Sequence, residues 1–273
     1  MQAASRESYA AALERLNAYA ARAKADNVEA TGEEILSVAT LLRREPRLRR
    51  ALSDPSRSGE QRAGLLTSVI GGKVGESAAE LVGLVVGGRA TTGNELLDTI
   101  ERVGVETLLA AADRGGDLAE VEDELFRFGQ VVDGDPALSG ALSDVVAPPE
   151  QRASLAAALL DGKAKSITVR LVEAALGGFG GRSFPVGLTR LVELAAERRE
   201  RQVAYVTVAS PLSDADERRL GGKLSELYGR EVSIKQTVDP RVLGGVSVLV
   251  GSDLYDGTVL RRLNDTRNAL TKS

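Results

Sequence analysis

Thirteen residues, ALSDPSRSGEQRA at 51–63, return as ALSDVVAPPEQRA at 141–153. When 46–88 is set against 136–178 without a gap, seventeen of the 43 pairs are identical, where unrelated sequences would give about three. Pro46 meets Pro136, Gly72-Lys73 meets Gly162-Lys163, Leu81-Val82 meets Leu171-Val172, and Gly87-Gly88 meets Gly177-Gly178. A ninety-residue period is too long for a solenoid unit and describes a duplicated domain.

The hydrophobic pattern repeats with the letters. Ile35, Val38, Ala39 and Leu42 fall at i, i+3, i+4 and i+7, and Leu125, Phe128, Gly129 and Val132 hold the same spacing. That is one face of a helix. Ala78, Leu81, Val82 and Val85 make a second such face, echoed by Thr168, Leu171, Val172 and Ala175. Both copies of this helix run into a Gly-Gly pair, suited to the left-handed conformation just past a helix end. EQRA opens a helix in each copy: Ser58 caps the first with Gln61 as its capping-box partner, and Pro148-Pro149 stiffens the entry to the second. Leu65 and Val69, like Leu155 and Leu159, are expected to face inward. Further helices are predicted at the N-terminus (Tyr9, Leu13, Leu16, Ala20), over 94–112 starting at Asn94, and around Leu188, Leu191, Val192 and Ala195.

From about residue 201 the period changes to two. VAYVTVA (203–209), EVSIKQTV (231–238) and VSVLV (246–250) read as strands, with Val232, Ile234, Gln236 and Val238 on one side of the second. Between the first two lies an amphipathic helix carrying Leu220, Leu224 and Leu227, started by Ser213 and ended by Gly229. A last helix follows Asp256, with Leu260, Leu263 and Leu270 inward. The expected fold class is therefore mainly α: two related helical-bundle domains, 1–112 and 113–200, followed by a small C-terminal α/β domain, 201–273.

Composition narrows the chemistry. The 273 residues include no Cys and no His. Thiol and imidazole catalysis, disulfides and the commonest transition-metal ligands are thereby removed. Aromatic residues are 3% with no Trp, so the core is aliphatic. Net charge is −4, which argues against nucleic acid as the main partner. No apolar run approaches the roughly 20 residues of a membrane helix, so no direct membrane insertion is expected. GGKVGES lacks the spacing of a phosphate-cradling loop, and GGFGGRS follows a helix where a dinucleotide fingerprint follows a strand. Asp253 and Asp256 are too few for a metal site. No cofactor and no metal are expected.

The run DPRVLGGVSVLVGSDLYDGTVLRRLNDTRNAL resembles the C-terminal signature of the δ subunits of F-type ATP synthases, the family of the mitochondrial oligomycin-sensitivity-conferring protein. The matching residues are Asp239, Pro240, Leu243, Gly244, Gly245, Gly251, Asp256, Gly257 and Thr258. Thr258 stands where Ser is common; both cap helices. VTVASPLSDADERRL and SRESYAAALERL are similar to the family's entry into this domain and to its N-terminal opening. An ordinary member has one helical domain before the α/β domain, and the repeat accounts for the additional ninety residues. In actinobacterial relatives the δ-like region can be fused behind a b-type stalk helix, so the chain can equally be a portion cut from such a fusion.

The motif residues read as structural. Gly244-Gly245 permits a tight turn that a Cβ would block, Pro240 and Asp239 set the turn before it, and Asp256-Gly257-Thr258 leads into a helix. The resemblance implies a non-catalytic connector of the peripheral stalk, on the cytoplasmic side of the plasma membrane. Its helical domain would bind the N-terminal helices of the α subunits of the catalytic head, and its C-terminal domain the b-type stalk subunit. Two other readings are a general adaptor for amphipathic helices and an enzyme sited in the α/β domain. One charge cluster stands apart. RREPRLRR places Arg43, Arg44, Arg47, Arg49 and Arg50 where the second copy has DGDPALSG, a divergence expected if the copies no longer meet the same partner. These arginines are candidate partner-binding residues. Which copy binds the α subunits is left open by the sequence.

Overall fold

The computed structural model describes residues 3–88, 92–199, 201–228, 231–242, 244–250, 253–259 and 261. Among them are twelve α-helices and a four-stranded sheet. Contacts divide the chain into two compact units, 1–192 and 193–273.

The first unit is helical. Its first copy contains α1 (Ala3–Ala20), α2 (Ala25–Arg44), α3 (Pro46–Leu52), α4 (Gly59–Ile70), α5 (Glu76–Gly87) and α6 (Gly93–Gly115). The second contains α7 (Leu118–Gly134), α8 (Pro136–Ser143), α9 (Pro149–Leu160), α10 (Ser166–Leu176), a 3-10 turn (Phe179–Gly181) and α11 (Phe184–Arg198), within which the division of units falls. The starts of α3, α4 and α5 recur ninety residues later as those of α8, α9 and α10. Every residue of the two faces headed by Ile35 and Ala78, and of the face headed by Thr168, is buried. The Ser58–Gln61 capping box forms as expected.

The copies are not separate bundles, because they share α6. From Leu96 to Ala112 every side chain of α6 except Asp98 and Arg102 is buried, the signature of a helix surrounded on all sides. It touches α1, α2, α3 and α5 of the first copy, and α7, α10 and the 3-10 turn of the second. Its contact with α2 is close enough to need glycine on both helices. A Cβ on Gly32 would sit 2.8 Å from the Leu108 side chain, and one on Gly104 would sit 2.7 Å from that of Leu36. On the α1 side, Tyr9 lies under the Arg102 guanidinium (4.5 Å to the ring centroid) and donates its hydroxyl to Glu106 at 2.8 Å. Burial and the Glu106 carboxylate both push the Tyr9 phenol well above its usual range.

Four local expectations are corrected. The inward residues of α4 and α9 are Arg62, Leu66, Ile70 and Arg152, Ala156, Leu160; Leu65, Val69 and Leu159 are half-buried, and Leu155 is exposed. Arginine accounts for the shift of register. Arg62 donates Nε to Val86 O (3.0 Å), Nη1 to Arg57 O (2.6 Å) and Nη2 to Gly88 O (2.5 Å). Arg152 donates Nη1 to Leu176 O (3.2 Å) and Leu142 O (3.4 Å). A helix end leaves carbonyls without partners, and a permanently charged five-donor fork is suited to collect them. The repeated Arg and the repeated helix end ahead of Gly-Gly thus belong to one device.

The Gly-Gly pairs differ between copies. Gly178 is left-handed (φ 83), but Gly88 is extended (φ −69, ψ −176). What Gly88 supplies is room, since a Cβ there would lie 2.3 Å from the Ser8 Cβ. The helix expected at Asn94 starts one residue earlier, at Gly93, capped by Thr92, whose hydroxyl accepts from Glu95 N at 3.1 Å.

The second unit contains β1 (Arg201–Val208), α12 (Asp214–Tyr228), β2 (Glu231–Val238), β3 (Val246–Val250) and β4 (Asp253–Asp256), with strand order β2-β1-β3-β4. β1 is parallel to β2 and antiparallel to β3, and β4 pairs antiparallel with β3. The parallel pair is joined through α12, as a crossover requires. Ser213 caps α12 by accepting from Asp216 N at 3.2 Å. The core holds Ala204, Val206, Val208, Leu224, Val232, Val248 and Val250, with Leu220, Tyr228 and Ile234 packed on it. Leu227 is 62% exposed, the fourth correction; Tyr228, at i+8 from Leu220, takes the inward place. β4 carries no strand signal in the sequence, since it has only four residues and two of them are carboxylates. The expected last helix, with Leu260, Leu263 and Leu270, and the expected stop at Gly229 lie outside the described residues.

Replacing Arg62 with Ala takes the guanidinium from the buried Val86 carbonyl and from the part-buried carbonyls of Arg57 and Gly88 at once. It is expected to lower the stability of the helical unit by about 3 kcal/mol, and Arg62→Lys to recover little of it, because an ammonium cannot span the fork. Urea titration followed by far-ultraviolet circular dichroism checks both, with Arg152→Ala expected to cost less.

Candidate partner-binding surfaces

The five clustered arginines do not act as one patch. Arg43, at the end of α2, pairs with the buried Glu101 of α6, and Glu101 also accepts from Gly180 N at 2.9 Å. Burial pushes the Glu101 carboxyl above its usual range while Arg43 and the Gly180 bond pull it down. Arg44 reaches Glu150 on α9 at 3.1 Å, an exposed pair. Arg49 is half-buried, donating to Leu42 O at 3.5 Å. Arg47 and Arg50 are exposed. Two of the five thus bind the shared helix and the second copy.

Those contacts belong to a wider inter-copy face that sequence reading missed. Glu33 of α2 pairs with Arg170 of α10 at 2.6 Å, and Ser166 donates to Glu29 at 2.7 Å. Between the two ion-paired ends lies a cleft of about 590 Å³ with a mixed lining, in which Leu36, Ala39 and Leu176 stand among Arg43, Glu101 and Glu173. Partners 137 residues apart carry no local sequence signal.

Within the first copy, α1 and α5 form a second surface. Arg15 holds Glu80 with two bonds, at 2.6 and 2.7 Å, and Ser8 closes on Gly88 eight residues further along α5. On the same edge of α5, between these two positions, Leu84 is 37% exposed. On α1 the small residues Ala10, Ala11 and Ala18 are exposed.

The C-terminal signature assembles into one corner of the second unit. Asp239 accepts from the backbone and guanidinium of Arg241 (2.9 and 2.9 Å) and donates its own N–H to Val208 O. Pro240 lies in the turn between them. Gly245 has φ 82, and a Cβ on it would meet Gly257 O at 2.4 Å. Gly244 O accepts from Val259 N and Val246 O from Gly257 N. Asp256 accepts from Thr258 N at 3.0 Å, and the Thr258 hydroxyl accepts from Arg261 N at 3.3 Å. The two halves of the signature, seventeen positions apart, therefore pack backbone to backbone. Leu243 and Gly251 lie outside the described residues.

The described residues contain no group of three or more potential metal ligands, and none of their helices is long and apolar enough to cross a membrane. The profile of the family described as ATP synthase delta (OSCP) subunit matches residues 6–103 and 105–270, a break that falls inside α6. The ATP synthase subunit delta of Salinispora arenicola is 69% identical over 273 residues, the whole of both chains. That of Streptomyces griseus is 45% identical over 265 residues, 97% of each. The chain belongs to the ATP synthase delta (OSCP) subunit family.

Arg241 and its neighbouring N–H hold the Asp239 carboxyl below the usual carboxylate range, and the Thr258 bonds do the same for Asp256. A carboxylate whose folded pKa is depressed contributes stability above its unfolded value of about 3.9 and loses it as pH falls through the folded one. The unfolding midpoint of the second unit is therefore expected to drop as pH is lowered below about 4. In Asp239→Asn with Asp256→Asn that drop is expected to be smaller, read by chemical denaturation across pH.

Proposed function

We propose that this chain is a non-catalytic connector in the peripheral stalk of an F-type ATP synthase, holding the catalytic head to the b-type stalk against rotor torque. The reading begins with family membership, and one structural observation carries it further. Among the described residues of the first copy, Leu84 is the single large apolar side chain left exposed, and it sits on the α1–α5 edge. A half-open apolar edge between two helices, rimmed by the Arg15–Glu80 pair, suits the apolar stripe of a third helix. The N-terminal amphipathic helix of an α subunit is the proposed occupant.

The second unit offers the other end of the connection. Leu249 and Leu254 are register partners across β3 and β4, on the sheet face away from α12 and both exposed (39% and 61%), whereas Tyr255, register partner of the core residue Val248, is 44% exposed on the opposite face. Tyr255 shares a 3.0 Å hydroxyl contact with Tyr228, which fixes its ring at the surface. The apolar pair Leu249 and Leu254 on one sheet face supports docking of the b-type stalk. The chain then works at the cytoplasmic side of the plasma membrane as a peripheral part of the complex, with no cofactor and no chemistry of its own.

Calorimetric titration of the full chain with an α-subunit N-terminal peptide tests the first joint. Leu84→Asp is expected to weaken binding at that joint at least tenfold, about 1.4 kcal/mol, with the helical circular dichroism unchanged. A peptide that does not bind the wild-type chain, or an unrelated amphipathic helix that binds equally well, would move the reading to a general helix adaptor.

A further inference from the structure

We propose that the tip of the second copy, formed by the end of α7, α8 and the loop that follows it, is a docking surface for a basic amphipathic helix of another subunit. It is a third contact, separate from the two joints described above.

The repeat shows which residues of this tip the fold does not need. In the first copy the loop between α3 and α4 is held by Asp54, whose Oδ1 accepts from Ser56 N at 2.9 Å. In the second, Asp144 Oδ1 accepts from Val146 N, also at 2.9 Å. The same turn thus presents Pro55-Ser56-Arg57 in one copy and Val145-Val146-Ala147 in the other. Aspartate makes the turn, so the valines are not required for it. Nor do they serve the core, since Val145 is 85% and Val146 89% exposed. Val131, in the last turn of α7, is 56% exposed, where the first copy has the half-buried Leu41. Scattered apolar residues at a surface are ordinary, but three in one stretch of chain, two of them side by side on a fixed turn, mark a contact surface. Between the two apolar ends lies α8, eight residues and about 12 Å long. A helix laid along it brings to both ends apolar side chains about seven positions apart, which share one face.

Charge specifies the occupant. Residues 131–149 include Asp133, Asp135 and Asp144, all exposed, and no Lys or Arg. The equivalent residues 41–59 hold six Arg against one Glu and one Asp, and two of those arginines are spent within the chain on Glu101 and Glu150. An apolar surface rimmed by carboxylates is complementary to an apolar stripe flanked by Lys or Arg. The same carboxylates repel an anionic lipid surface.

The test uses the full chain carrying Leu84→Asp, which removes the first joint, and two synthetic helical peptides with one leucine stripe, flanked by Lys in one and by Glu in the other. In fluorescence anisotropy titrations the Lys peptide is expected to bind at least tenfold more tightly. Exchanging the loop for its first-copy counterpart (Val145→Pro, Val146→Ser and Ala147→Arg together) keeps the turn. It is expected to weaken the Lys peptide at least tenfold, about 1.4 kcal/mol, with the thermal unfolding midpoint unchanged. Asp133→Arg, which installs the first-copy residue, is expected to weaken it as well. Because the chain has no Cys, Val146→Cys carrying a benzophenone reports the neighbour in the assembled complex. A crosslink to a Lys- or Arg-flanked helix of another subunit, located by mass spectrometry, is expected. Equal binding of the two peptides, indifference to the loop exchange, or a crosslink to lipid, to a second copy of this chain or to nothing would each overturn the inference. None of these results bears on the first joint.

Discussion

The close packing of α6 against α2 is the contact on which the helical unit depends. Gly32 and Gly104 allow the two backbones to approach, and Leu36 and Leu108 fill the spaces they leave. Around that pair, α1 closes through Tyr9, Arg102 and Glu106, and the second copy closes through the 3-10 turn and α10. Fifteen of the twenty-three residues of α6 are buried, and this shared core explains how a duplicated domain became one body. The same helix serves as core for both copies.

The charged contacts between the copies have a different rank. Glu33–Arg170 and Arg44–Glu150 are largely exposed, and exposed pairs of this kind contribute little in water. Arg43–Glu101 is more consequential, because Glu101 is buried and would otherwise stand as an uncompensated carboxylate beside Phe179 and Gly180. Removing one partner of such a pair is far more damaging than never having had the pair. Cohesion therefore comes from α6, orientation from Arg43 and Glu101, and the outer pairs act as weak straps. For a part proposed to transmit load between a head and a stalk, that is a rigid axis with a compliant seam.

The repeated arginine gives the duplication a physical meaning beyond ancestry. Arg62 and Arg152 gather carbonyls from the end of the partner helix and from the segment before their own helix, the Arg57 loop in one copy and the last turn of α8 in the other. Each thereby locks the α4–α5 or α9–α10 hairpin into a shape that burial of Leu66, Ile70 or Leu160 alone would not fix. The conformations around them are free to differ, as Gly88 and Gly178 show, because the guanidinium donates to carbonyls presented by more than one backbone geometry. The signature corner of the C-terminal unit obeys the same logic at smaller scale, with Gly245 admitting the backbone of Gly257 so that two loops share one set of hydrogen bonds.

Sequence by itself determined the duplication, the helix faces of α2, α5 and α10, the Ser58 capping box, the strands β1 to β3 and the family signature. Those features are local, or repeat locally, so spacing and residue type suffice to read them. It missed the sharing of α6, because periodicity reports which side of a helix is apolar and not which neighbours cover it. It placed Leu65 and Leu155 inward, because an arginine in a helix reads as solvent-facing until the carbonyls it caps are known. It took Arg43 and Arg44 as candidate contacts for a partner, and only the folded chain puts Glu101 and Glu150 opposite them. The tertiary structure decided these points for one reason: each joins residues tens to more than a hundred positions apart, and whether a charge lies at the surface or in the core depends on what the fold brings to it.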